Sequence, residues 1–213
     1  MTMIATDKPM ISINRRRVLQ IIAAGSAATL MDGGSLMAKS MERKSQGYGP
    51  DIDMNNPEVT WDKILTQAQL KTLTIVGDII IPADETSPAA SAFNIADFIN
   101  EWVSAPYPTQ QADKDIIVGG LLWLDQQAKQ QQTRYFRNLS EDHQATIFDR
   151  LAQSVENEEV EVNQKEFFER LIYLFVGGFY TTPEGMADIG YIGNVPMAKF
   201  EGPSAEIRQK LGV

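Results

Sequence analysis

Apolar residues in this chain recur at spacings of three and four rather than two, a periodicity that admits helices and leaves no alternating run long enough for a sheet. Leu70, Leu73, Val76 and Ile80 share one face of a first helix. Thr66-Gln67-Ala68-Gln69 opens it as a capping box, in which the Thr hydroxyl and the Gln69 amide serve orphan amides at the helix start. Pro82 closes it by forcing Ile81 out of the α region. Pro82 to Ala92 then reads as a loop, and a second helix starts at Asn94 or Ile95 with Ile95, Phe98, Ile99, Trp102 and Val103 inward, ended by Pro106 and Pro108. A third runs roughly from Gln111 to Gln131 on a stripe of Ile116, Ile117, Leu121, Leu124 and Ala128.

Ser140 caps a fourth helix, with Glu141 and Asp142 in its first turn suiting the dipole. Its inward face is Ala145, Ile147, Phe148, Leu151 and Ala152. The acidic stretch Glu156 to Glu161 is a solvated turn, and Asn163 caps a fifth helix whose core side is Phe167, Phe168, Leu171, Ile172, Leu174 and Phe175. Gly177-Gly178 ends it, and Gly119-Gly120 likewise reads as a packing or C-cap pair. The expected fold is all-α, an antiparallel bundle of about five helices with an irregular Gly/Pro/aromatic tail from Phe179 onward. Such a tail is too poor in periodicity to make its own core, and its aromatics must lie on the bundle or on another subunit.

Ahead of the bundle lies Arg15-Arg16-Arg17, followed by the eleven-residue apolar and small run Ile21 to Met31. That run is too short to span a bilayer, which takes about 20 residues. A basic head, a short apolar stretch and small residues make an export signal, and the paired Arg15 and Arg16 make it the twin-arginine type. The expected layout is a twin-arginine signal over 1–38, a linker or wrapping arm over 39–60 and a helical domain over 61–213. Residues 1–38 carry Lys8, Arg15, Arg16, Arg17, Asp7 and Asp32; without them 15 basic and 26 acidic residues remain, a charge of −11 against −9 for the whole chain. Nucleic acid and anionic lipid are poor partners for that charge. Beyond the leader, the longest apolar run, Leu171 to Gly178, is broken by Tyr173 and does not approach membrane length.

The chain has no cysteine, which excludes disulfides, thiolate-held iron–sulfur clusters and c-type haem attachment. Its single histidine, His143, stands in the exposed first turn after Ser140, so zinc sites lack ligands. Asp84-Glu85 and the run Glu158, Glu159, Glu161 are paired carboxylates, but neither pair is flanked by the apolar residues that would split their acidities. Asp78, between Val76 and Ile79, reads as a helix-rim residue or one that bonds the following loop. No phosphate-cradling glycine loop and no serine nucleophile elbow occurs. The twin-arginine route carries folded cargo, usually because a cofactor must be inserted first. On a cofactor-poor chain it points to an escort for a cofactor-bearing partner.

The tail segments Gly178-Phe179-Tyr180-Thr181-Thr182-Pro183-Glu184-Gly185 and Gly190-Tyr191-Ile192-Gly193-Asn194-Val195-Pro196 resemble gluconate 2-dehydrogenase subunit 3, the small-subunit family of that enzyme. Asp78-Ile79-Ile80-Ile81-Pro82, Thr86-Ser87-Pro88-Ala89-Ala90 and Gly120-Leu121-Leu122-Trp123-Leu124-Asp125 follow the family pattern, as do Ser140 and Phe167-Phe168. Ala89 departs from it where many members have glycine, and Val18 stands in the leader where phenylalanine is common.

The resemblance implies a three-part dehydrogenase. A large subunit holds FAD and oxidises D-gluconate to 2-keto-D-gluconate, and a multihaem cytochrome c subunit passes electrons to quinone at the membrane. The small subunit is expected to be non-catalytic and without a cofactor of its own. It would export the leaderless flavin subunit through the twin-arginine translocase and remain with it in the periplasm, associated with the inner membrane through the complex. Related complexes act on glucose, sorbose or 2-ketogluconate. The residues expected at the partner interface are Phe179, Tyr180, Thr181, Pro183, Gly185, Tyr191, Gly193 and Asn194. Two readings of other classes stand beside this one: a free-standing exported enzyme working through Asp84 and Glu85, and a periplasmic binding module.

Overall fold

The computed structural model describes residue 59, residues 61–131 and 133–191, and singly residues 193, 196, 199, 202, 205, 208 and 209. Arg15, Arg16 and Asn194 lie outside the described residues. Among the described residues the chain is all-α: α1 (Gln67–Ile80), α2 (Ile95–Ser104), α3 (Pro108–Gln130), α4 (Glu141–Glu156), α5 (Val162–Phe179) and a short α6 (Pro183–Asp188). Single 3-10 turns, Ala90–Phe93 and Phe136–Asn138, precede α2 and α4. The bundle is organised around α5, which packs against α1, α2, α3 and α4.

The capping box at Thr66 forms as its sequence dictates, with the Thr hydroxyl accepting from the Gln69 amide and the Gln69 side chain accepting from the Thr66 amide. Ser140 caps α4 in the same way, accepting from the His143 amide. Other boundaries differ from the sequence expectation. Pro108 begins α3 rather than ending α2, because at the first helical position its missing N–H leaves no bond unmade. The fifth helix starts at Val162, with Glu161 and not Asn163 in the cap position. It also runs through Gly177-Gly178 to Phe179. Gly178 is there for packing: a Cβ would come within 3.0 Å of both Ile95 and Phe98.

Phe136, Phe148, Phe167, Phe168, Phe175 and Phe179 are fully buried, several of them edge-on to a neighbouring ring; Phe136 meets Phe148 at 5.9 Å and Phe93 meets Phe179 at 5.5 Å. A buried ring contributes roughly 1.5–3 kcal/mol. Exposed ion pairs such as Lys63–Asp97 at 2.6 Å contribute about 0–1 kcal/mol, so the phenylalanines decide the stability. The core is as expected on α5, and less apolar than expected on α2 and α4. Phe98 is 39% exposed rather than inward, while Gln144 and Asp149 are buried beside Phe148. Gln144 can be there because its amide donates to the Phe136 carbonyl at 3.2 Å. Buried Asn100 and Ser104 accept from the Leu65 and Ile64 amides at 2.9 and 3.0 Å, tying the entry segment to α2.

The acidic turn after α4 closes on a left-handed residue. Glu158 has φ +58, its amide donates to the Val155 carbonyl, and the Glu159 amide donates to the Ser154 carbonyl. That is the Schellman pattern, normally completed by glycine. Glu158→Gly should therefore raise stability by about 1 kcal/mol, since a left-handed side chain costs about 1–2 kcal/mol and glycine's added unfolded-state entropy returns part of it. A thermal melt reads the change, and a lower midpoint would contradict it.

Candidate partner interface at the C-terminal corner

The glycine- and aromatic-rich tail segment folds as a helix-to-helix corner. At the end of α5 the Thr181 hydroxyl donates to the Gly177 and Gly178 carbonyls at 2.9 and 3.0 Å. The next hydroxyl, Thr182, donates to the Phe179 carbonyl at 2.7 Å and accepts from the Gly185 amide at 3.0 Å. One side chain thus closes α5 and caps α6. Pro183 follows at the first helical position, where its fixed φ suits a helix start. Gly185 is required because a Cβ there would lie 2.1 Å from the Phe179 carbonyl oxygen. The far end is a second Schellman turn: Gly190 has φ +66, its amide donates to Ala187, and the Tyr191 amide donates to Met186 at 2.8 Å. The segment from 183 to 188 is helix, where an irregular tail was expected.

This corner is fastened to the loop after α1. Tyr180 is half-buried, edge-on to Phe179 at 5.1 Å, and its hydroxyl donates to Asp188 at 3.4 Å. The Thr86 hydroxyl lies 2.7 Å from Asp188 and 2.9 Å from Asp84, donating to one carboxylate at a time. Asp84 in turn accepts from the Thr86 and Ser87 amides at 2.9 and 3.0 Å, and Asp78 accepts from the Ser91 amide at 2.8 Å. The loop carboxylates therefore organise backbone; Glu85 stays exposed. Thr182→Ala should cost about 1 kcal/mol as a lost cap. Faster hydrogen exchange confined to α6 checks it, and unchanged exchange there would count against the relay.

The expected interface residues separate into two kinds. Phe179 is fully buried in the chain's own core and Gly185 is buried against its backbone, so these two serve the corner itself. Thr181, Pro183, Tyr191 and Gly193 are exposed, Tyr191 by 58%. His143 is exposed with Nδ1 2.9 Å from the Ser140 hydroxyl, and Glu158, Glu159 and Glu161 line the solvated turn. Among the described residues no three His, Asp or Glu side chains gather to hold a metal ion, and no helix is long and apolar enough to cross a membrane.

One polar constellation escaped the sequence reading. Asp113 on α3 is 1% exposed; it accepts from the Trp102 indole of α2 at 2.8 Å and pairs with Arg170 of α5 at 3.0 Å. A single carboxylate thus joins three helices. Its signal was available, because position 113 falls on the helical register of Ile117, Leu121 and Leu124, where a charge must find a partner.

A family model described as Gluconate 2-dehydrogenase subunit 3 matches residues 67–202. No curated protein and no solved structure matches the chain.

Proposed function

Because the chain belongs to the gluconate 2-dehydrogenase subunit 3 family, we propose that it is the non-catalytic small subunit of a periplasmic FAD-dependent dehydrogenase, in which it exports and stabilises the flavin subunit. The complex oxidises D-gluconate to 2-keto-D-gluconate and delivers electrons through a multihaem cytochrome c subunit to quinone at the inner membrane. FAD and haem belong to the partner subunits. The observation that carries the proposal is the family match over 67–202 on a chain headed by Arg15-Arg16.

The chemistry of the side chains supports this division of labour. There is no thiol, the one imidazole meets a cap hydroxyl, and the loop carboxylate Asp84 is engaged by amides. What the sequence offers instead is an address and a partner surface. Replacing Arg15 and Arg16 with lysine tests the escort role: the flavin subunit should vanish from the periplasmic fraction and accumulate inside. Undiminished periplasmic flavin subunit would end it. Turnover of gluconate, glucose, sorbose and 2-ketogluconate by the purified complex identifies the substrate.

A further inference from the structure

The outward stripe of α5, set by its helical period, is Glu166, Arg170, Tyr173 and Gly177. Tyr173 is 58% exposed beneath the Arg170 guanidinium, 5.2 Å from the ring centroid. On one flank stand Phe98 and Trp102 of α2, with ring centroids 6.1 Å apart and Phe98 set against Gly178. On the other flank α3 and α5 enclose a groove lined by Ile116, Gly119, Trp123, Glu166 and Phe167. Asp113 bonds both Trp102 and Arg170, which ties the α2 flank to the stripe, and Glu166 belongs to both the stripe and the groove. Tyr, Trp, Phe and Arg are the side chains enriched where proteins dock.

The glycines on this face add an independent argument. Gly120 and Gly178 each have their missing side chain replaced by packing, against Phe167 in the first case and against Ile95 and Phe98 in the second. Their neighbours Gly119 and Gly177 are exposed, within helices, and have nothing within 4 Å of an added Cβ. Glycine inside a helix costs stability relative to alanine. Nothing within the described chain offsets that cost at these two positions, whereas a second molecule approaching the helix backbone would.

We propose that this face, on α2, α3 and α5, is where the FAD-bearing large subunit docks. The inference rests on the subunit reading above and deepens it by naming the surface. Charge selects the occupant. Asp115 and Glu166 border the groove, Arg170 is engaged by Asp113, and the chain carries −9 overall. A second copy would bring the same acidic border and the same sign of charge against it. The complementary partner presents an apolar, backbone-close segment flanked by lysine or arginine, and its capture weakens as salt rises.

The test co-expresses the tagged full chain with the FAD subunit and measures flavin recovered with it, for wild type, Gly119→Lys, Gly177→Lys and the α4 surface control Arg150→Ala. Lysine is a better helix former than glycine, so the isolated lysine variants should melt at or above the wild-type temperature. Their recovered flavin should fall by roughly tenfold or more while the control retains it. Full flavin recovery with both lysine variants would overturn the surface but leave the subunit reading intact. No flavin with wild type would remove the subunit reading and the surface with it. Lower melting of the isolated lysine variants would assign the face to a segment of the same chain, and a wild-type dimer that Gly119→Lys splits would assign it to a second copy; either outcome overturns the proposal.

Discussion

Gly120→Ala is expected to cost about 3 kcal/mol or more, at the upper end of overpacking changes. The added Cβ would lie 1.9 to 2.3 Å from three atoms of the Phe167 ring. That ring is 1% exposed and packed against Trp123 at 6.5 Å, and atoms at its base, not its far end, are the ones that clash. The remaining response is to part α3 from α5, the most extensive helix pairing in the bundle. For a domain of this size the melting temperature should drop by about 6–12 °C. The same substitution at Gly119, one residue away, should stabilise by up to about 1 kcal/mol, because its Cβ meets nothing. Pairing Gly120→Ala with Phe167→Leu should recover part of the loss by vacating the ring's volume. Equal melting of the Gly119 and Gly120 variants would show that the helices are not in the contact described.

Arg170→Ala is expected to be the second large loss, about 3–5 kcal/mol, and larger than that of Asp113→Ala. The two partners are unequally placed: the Asp113 side chain is 2% exposed and that of Arg170 33%. Removing the arginine strands a buried carboxylate that keeps, among the described residues, the Trp102 indole as its side-chain partner. Removing the carboxylate instead leaves a guanidinium that water can reach and a ring, Tyr173, still beneath it. That loss should be about 2 kcal/mol, chiefly the cost of leaving the Trp102 indole without its acceptor. The double variant should then cost less than the sum of the singles by about 1–3 kcal/mol, because both lose one interaction. Denaturant unfolding of the four proteins measures the cycle. Additive losses would mean that the ion pair holds nothing together.

Much of this was legible in the residues. The Thr66 and Ser140 caps, the stop before Pro82 and the core face of α5 all follow from rules that act within one turn of chain. Misread elements share one cause. Pro108 reads in the sequence as a terminator, yet proline serves equally to begin a helix, and only the path of the chain chooses. Gly177-Gly178 reads in the sequence as a stop, yet Gly178 persists within the helix because Ile95 and Phe98 of another helix claim its missing volume. Among the interface candidates the sequence could not separate Phe179 from Tyr191, since an aromatic ring fills a core or a contact surface equally well.

By itself the sequence determined the helical class, the helix faces and the lack of thiols and clustered imidazoles, because periodicity, capping and composition are local properties of the chain. The tertiary structure alone decided which glycine of each pair packs and which lies open, and that Asp113 binds two other helices. It also decided that Thr182 joins α5 to α6 while Asp188 reaches the loop at Thr86. Apart from the Thr182 relay, those outcomes depend on distances between residues remote along the chain, which no local pattern encodes.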